Sequence, residues 1–165
     1  MKLNLGCGDK KREGYVNVDY CGNPDLACDL SVFPWPWADE SFDEVFSEHF
    51  LEHVLDYEKT ILEIHRVLKM GGVIWFRVPH YREPMSVWHL HKWQFSTYTP
   101  SLLCSKIPYQ WGGRKLFEKI ELKVNYPYIN RFLGYVFTKL ANLSPYRWDW
   151  LGLPIQEIEF RGKKC

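Results

Sequence analysis

The chain has 165 residues, 25% of them charged and 46% hydrophobic, with a formal net charge of +1. That is enough chain for one buried core, and too even a charge for the basic face of a dedicated nucleic-acid binder. No run reaches the roughly 18 consecutive apolar residues of a membrane-spanning helix, and five cysteines without a C-x-x-C pair fit neither a disulfide framework nor a zinc knuckle, pointing to a reducing, cytoplasmic setting.

Residues 2–5 predict a first strand that breaks into Gly6-Cys7-Gly8. Two glycines one residue apart let backbone approach a ligand with no Cβ in the way. Residues 15–19 predict a second strand ending on Asp19, an acid placed to accept hydrogen bonds from a ribose. The stretch between these strands is too short for a full crossover helix, so a reduced first helix or a loop is expected. Residues 26–30 suggest a short third strand ending in Asp29-Leu30. Pro34-Trp35-Pro36-Trp37 forms a stiff loop that cannot be helix, and residues 42–47 give a fourth strand.

The clearest helix is 56–69, where Tyr57, Thr60, Ile61, Ile64, Val67 and Leu68 make one apolar stripe, with Asp56 as N-cap and Gly71-Gly72 as the stop. Residues 73–78 are a continuous apolar strand of the kind buried on both faces of a parallel sheet. Residues 80–97 are polar, aromatic and histidine-rich without a period, and read as a lid or substrate loop. A short helix over 99–107, a strand over 115–125, a helix over 128–143 and a last strand over 155–161 complete the chain. The helical stripe over 128–143 includes Ile129, Phe132, Leu133, Val136 and Phe137, and its aromatic character runs on to 150. Strands alternating with helices predict a three-layer α/β domain over 1–165. The aromatic content of 17% suits either a compact core or a groove for a ring-bearing substrate.

Four blocks in this order resemble the class I S-adenosylmethionine-dependent methyltransferases, within them the short group that begins LNLGCG. They are Leu3-Asn4-Leu5-Gly6-Cys7-Gly8; Tyr15 to Asp19; Phe42 to Ser47 followed by Leu51-Glu52-His53; and Glu63 to Gly72. The resemblance covers residues 3–80. It implies a Rossmann-like, mostly parallel seven-stranded sheet with a reversed final strand. The chain departs from the family pattern at Asn4, where an acid is usual, at Lys10, in place of a third glycine, and at Met70, where proline is usual.

By this resemblance the cofactor is S-adenosylmethionine. Gly6, Cys7 and Gly8 pass under its methionine part, Asp19 takes the ribose hydroxyls, Asp29 and Leu30 flank the adenine, and Ser47 and Glu48 border the reacting centre. The reaction is an in-line methyl transfer to an oxygen or nitrogen, driven largely by positioning. His49 and His80, each just past a strand end, are the candidate general bases, since histidine has the right resting pKa to take a proton from the acceptor. Tyr81, His89 and His91 in the lid are the candidate acceptor contacts. No block typical of base or glutamine N-methylation follows the fourth strand, and no Pro-Cys nucleophile is present, so a small-molecule acceptor is expected rather than nucleic acid.

Two other readings stand beside this one. His49-Phe50-Leu51-Glu52-His53 is an H-x-x-E-H pattern, in which a helix would present His49 and His53 to a zinc ion with Glu52 as base of a hydrolase. A weaker form places a metal on His80, His89 and His91; neither form is adopted, and no metal ligand is assigned. Alternatively a degenerate methyltransferase fold serves as a binding or regulatory subunit. The aromatic helix offers a homodimer face.

Overall fold

The computed structural model describes residues 1–106, 111–125 and 131–165. The strands are β1 (Lys2–Leu5), β2 (Val16–Asp19), β3 (Leu26–Ala27), β4 (Phe42–Glu48), β5 (Leu68–Pro79), β6 (Phe117–Asn125) and β7 (Glu157–Lys164). They form one seven-stranded sheet in the order β3-β2-β1-β4-β5-β7-β6. The first five pair in parallel, and β7 runs antiparallel to both β5 and β6. The Rossmann-like sheet with its reversed final strand is therefore present. Strand order turns back between β1 and β4, and ligands of such sheets bind outside the carboxyl ends of the strands at that switch point.

The helices are α1 (Tyr57–Val67), α2 (Thr99–Leu103), α3 (Arg131–Leu143) and α4 (Pro145–Trp150). The Asp56 carboxylate accepts the Lys59 N–H at 2.9 Å and caps α1 as the sequence predicts. Ile61, Ile64 and Val67 pack against Leu3, Leu5, Val45, Ile74 and Phe76 of the sheet. Among the described residues, no helix is long and apolar enough to cross a membrane.

Several boundaries differ from expectation. The third strand stops at Ala27, because the Asp29 carboxylate accepts from both the backbone N–H and the hydroxyl of Ser31 at 2.9 and 2.6 Å and bends the chain into a turn. Helix α1 ends before Leu68 rather than at Gly71-Gly72. β5 starts at once, and its register against β4 slips between Phe42↔Leu68 and Glu44↔Val73. Gly71, at φ +77°, lies in the slipped stretch. The aromatic helix is two helices, because Pro145 has no N–H to continue one and sits instead in the first turn of α4. Residue 107 of the expected 99–107 helix and residues 128–130 of the expected 128–143 helix lie outside the described residues. On α3, Asn142 seals the outer edge of β6, donating to the Val124 carbonyl at 2.7 Å and accepting its N–H at 2.8 Å.

The third layer is not helical among the described residues. The connections β1–β2, β2–β3 and β3–β4 contain no helix. On the face away from α1, the Arg12 guanidinium from the β1–β2 loop lies over Phe46 at 4.1 Å and Trp75 at 4.3 Å, and Arg161 approaches Trp75 at 4.0 Å. Asn4 explains how the loop is held. It donates to Asn17 Oδ1 at 2.8 Å, and the same oxygen accepts the Arg12 N–H at 2.7 Å.

Candidate cofactor and acceptor site

The glycine loop continues the β1 ladder: the N–H groups of Gly6 and Cys7 both donate to the Val18 carbonyl. Gly6 and Gly8 then turn through φ +66° and +50°, which a residue with a Cβ adopts only under strain. Asp19 fixes this turn. One carboxylate oxygen accepts the Gly8 N–H at 2.7 Å and the other the Cys21 N–H at 3.1 Å. The Cys21 thiol adds a weak third contact at 3.7 Å, and of the carboxylate's roughly four acceptor positions the remainder is open to a ligand's hydroxyl.

Asp19 opens into a cavity of about 270 Å³ at the carboxyl ends of β2 and β3. Asp29 and Leu30 line it as expected, joined by Phe33, Phe50 and Val54. An acid beside apolar and aromatic walls suits a ribose with its flat base. Gly6 meets Phe50: a Cβ there would lie 2.5 Å from the ring, so the side chain glycine lacks is replaced by a phenylalanine seated on the loop. The residues present thus fit the nucleoside half of the expected cofactor, and Phe50 covers the glycine that would pass under its other half.

A second cavity, of about 350 Å³, adjoins the first through His53, which lines both. Its walls include His49, Glu52, Trp88, His91 and Glu157. His49 takes φ +51°, a strained backbone for a non-glycine. Its Nε2 lies 2.9 Å from Glu157 and its Nδ1 3.2 Å from Glu52. Glu157 first and Glu52 second raise its pKa to about 10 against the opposing effect of burial. With a carboxylate at each ring nitrogen the protonated ring is the favoured form, an arrangement that suits a general base poorly.

His80 is also not placed as a base. It is fully buried, lines neither cavity, and accepts the Arg82 N–H on Nδ1 at 3.3 Å. Its Nε2 is 3.3 Å from an Asp149 oxygen, outside the direction of a good hydrogen bond. Desolvation lowers its pKa, with Asp149 opposing. Asp149 also accepts the N–H and hydroxyl of Thr97, at 2.9 and 2.7 Å, so this cluster fastens the lid to α4.

The remaining expected residues divide. His91 lines the second cavity. Tyr81 lies against His80, and the exposed His89 against Trp88; neither lines either cavity. Cys7 and Glu48 border a separate small cavity beside Gly6, Asn4 and Phe46, and Glu48 is paired with Arg77 at 3.0 Å. Ser47 is buried beside Leu5 in register, and its hydroxyl has no hydrogen-bond partner among the described residues. The H-x-x-E-H pattern does not form a chelate. Residues 49–53 are not helical, and both His49 nitrogens face carboxylates. Phe50 and Glu157 have no role in the sequence reading, and His53 enters it only as a zinc ligand. Phe50 immediately precedes the Leu-Glu-His block, while nothing local marks Glu157.

Residues 9–76 match the family model of a methyltransferase domain. No curated protein sequence matches the chain. Many solved structures share its fold. An S-adenosylmethionine-dependent methyltransferase from Archaeoglobus fulgidus superposes with a TM-score of 0.63 at 18% identity, over 99% of this chain and 85% of that one. The phosphoethanolamine N-methyltransferase 2 of Haemonchus contortus, solved with S-adenosyl-L-methionine, gives 0.61 at 16% identity, over 99% of this chain and 48% of that one. The [4+2]-cyclase SpnF gives 0.62 at 14% identity, over 99% and 73%. The resemblance to class I methyltransferases read from the four sequence blocks is borne out.

Proposed function

We propose that this chain, built on the class I methyltransferase fold, is one cytoplasmic domain that transfers a methyl group from S-adenosylmethionine to an oxygen or nitrogen of a small-molecule acceptor. The observation that carries the reading is the pair of cavities meeting at His53, one floored by Asp19 tied to the glycine loop and the other walled by lid residues.

In this reading Asp19 receives the ribose hydroxyls on its remaining acceptor capacity, Leu30 and Phe33 hold the base, and Asp29 faces its edge. Gly8, with open space where a Cβ would stand, gives the close backbone approach, and Ser47 offers an unused hydroxyl at the end of β4. When bound, the cofactor supplies an electrophilic methyl group. His49 offsets one of the two charges of Glu52 and Glu157, which if bare would favour a sulfonium over a transition state in which that charge is being lost. The acceptor sits in the second cavity against Trp88 and gives up its proton to solvent, since His49 already carries one.

The fold also carries chemistry other than methyl transfer, as the similarity to a cyclase illustrates, so two measurements are needed. Calorimetry is expected to give one S-adenosylhomocysteine site per chain, and absence of binding overturns the reading. Labelled cofactor offered to phenols, sugars, amines and acids is expected to label a small molecule. Transfer only to protein or RNA overturns the acceptor class, and binding without any transfer supports the subunit reading instead.

A further inference from the structure

The second cavity holds three donor groups that methyl transfer leaves unused. Glu52 is fully buried, yet only one of its carboxylate oxygens has a partner, His49. The other, Oε2, is buried without a hydrogen bond among the described residues, a costly state for a charged atom unless something else satisfies it.

Two imidazoles stand next to it. His53 Nδ1 lies 3.3 Å from the Leu90 carbonyl and His91 Nδ1 3.2 Å from the Ser86 carbonyl. A carbonyl only accepts, so each Nδ1 carries the proton and each Nε2 presents a lone pair. Metal-binding histidines are oriented in this way, with one nitrogen on the ion and the other donating to backbone. One ligand atom from each of Glu52, His53 and His91 falls in a group whose members all lie within 4.8 Å of one another. Tetrahedral ligands of zinc stand about 3.3 Å apart, so side-chain rotations close the set.

The surroundings hold this geometry. The N–H groups of Lys92 and Trp93 donate to the Glu52 carbonyl at 2.7 and 3.3 Å, which locks the lid register that places His91. Trp88 packs edge-on against both histidines. His49 holds the second carboxylate oxygen and so orients Glu52.

We propose that Glu52, His53 and His91 bind one divalent transition-metal ion, with zinc the best match. Two imidazoles and one carboxylate suit zinc or iron(II), whereas magnesium and calcium prefer oxygen ligands throughout. Three protein ligands leave a coordination position open to the cavity, the arrangement of a reactive rather than a structural site. This ligand set differs from both metal sets suggested by the sequence, since it takes one residue from the Leu-Glu-His block's end, the acid beside it and one from the lid.

The test uses the tag-free chain, stripped with chelator and titrated separately with zinc and with cobalt(II). One equivalent is expected to bind, the cobalt form showing visible absorption from imidazole and carboxylate ligation. His91→Ala is expected to weaken zinc binding by about 100-fold or more, at or beyond the loss for an outer-shell partner, and Glu52→Gln to do the same without changing side-chain size. His89→Ala is the control and is expected to bind zinc as the parent does. Failure of the parent chain to bind zinc or cobalt at micromolar concentration overturns the proposal. So does parental affinity in both His91→Ala and Glu52→Gln, or an equal loss in His89→Ala. Thermal melting and S-adenosylhomocysteine binding on the same preparations report folding and the first cavity independently, so a failed metal site is distinguishable from a failed cofactor reading.

Discussion

The two adjoining cavities are built from different kinds of sequence. The first takes its acids from the ends of neighbouring strands: Asp19 at the end of β2, tied to the glycine loop after β1, and Asp29 just past β3. The second gathers Glu52 from the turn after β4, His91 from the lid and Glu157 from the reversed strand β7. A site made at strand ends is marked by short local spacing. A site made where distant segments converge is marked only in separate pieces until the chain is folded.

The difference can be broken or sharpened by substitution. The largest expected effect is Asp19→Ala, which removes the anchor of the glycine loop and the acceptor for a ribose. Calorimetry is expected to show S-adenosylhomocysteine affinity down about 100-fold, or about 3 kcal/mol. Unchanged affinity would sever the first cavity from the cofactor. Gly6→Ala comes next. Its Cβ meets the Phe50 ring at a positive φ, and a loss of about 2 kcal/mol is expected in denaturant melts. Phe50→Ala in the same chain should recover the steric part, and simple additivity of the two changes would refute the contact.

Asp149→Ala tests the second cavity's scaffold. It strips Thr97 of its acceptor and His80 of its neighbour, and about 2 kcal/mol of stability is expected to go. Hydrogen exchange should quicken in residues 80–97, while cofactor affinity stays within about twofold. A matching loss of cofactor affinity would show that the two cavities do not act separately.

The smallest effect belongs to neither cavity. His65 on α1 lies against Phe117, and burial, aided by Lys164 and Arg114, lowers its pKa to about 4. The unfolded chain takes the proton first, so the contribution is complete above the ordinary histidine pKa and is lost as pH falls from there towards 4. His65 is partly exposed, and after allowance for solvent screening about 1 kcal/mol is expected across that window. His65→Asn should flatten this part of the pH–stability curve, and an identical slope in both chains would exclude the residue as its source.

The legible parts of the molecule were those fixed by near neighbours in sequence. The apolar stripe and Asp56 cap delivered α1, and the apolar run around Val73–Val78 delivered the centre of β5. The unreadable parts depended on partners far along the chain. His49 looked like a free base because its resting pKa is that of histidine, and only Glu157, brought beside it by β7, reveals the imidazolium. His80 stands just past a strand end, as a base should, yet Asp149 and the lid bury it. Gly71 looked like a helix stop and is instead part of a register slip, since pairing of Leu68 with Phe42 outcompetes another helical turn.

The side-chain covering over Phe46 and Trp75 has a consequence for length variation. The segment from Gly6 to Tyr15 is pulled at one end by the Gly8–Asp19 hydrogen bond and in its middle by Arg12, through both the Asn17 hydrogen bond and the aromatic stack. The spare length between these points is stored in two turns, closed by the Lys10 N–H on the Cys7 carbonyl and the Tyr15 N–H on the Arg12 carbonyl. Removing one residue there opens a turn before it strains the ligand loop or the covering of the sheet. Adding residues costs only the slowly growing entropy of a longer loop. This strip of the molecule therefore lengthens more cheaply than it shortens.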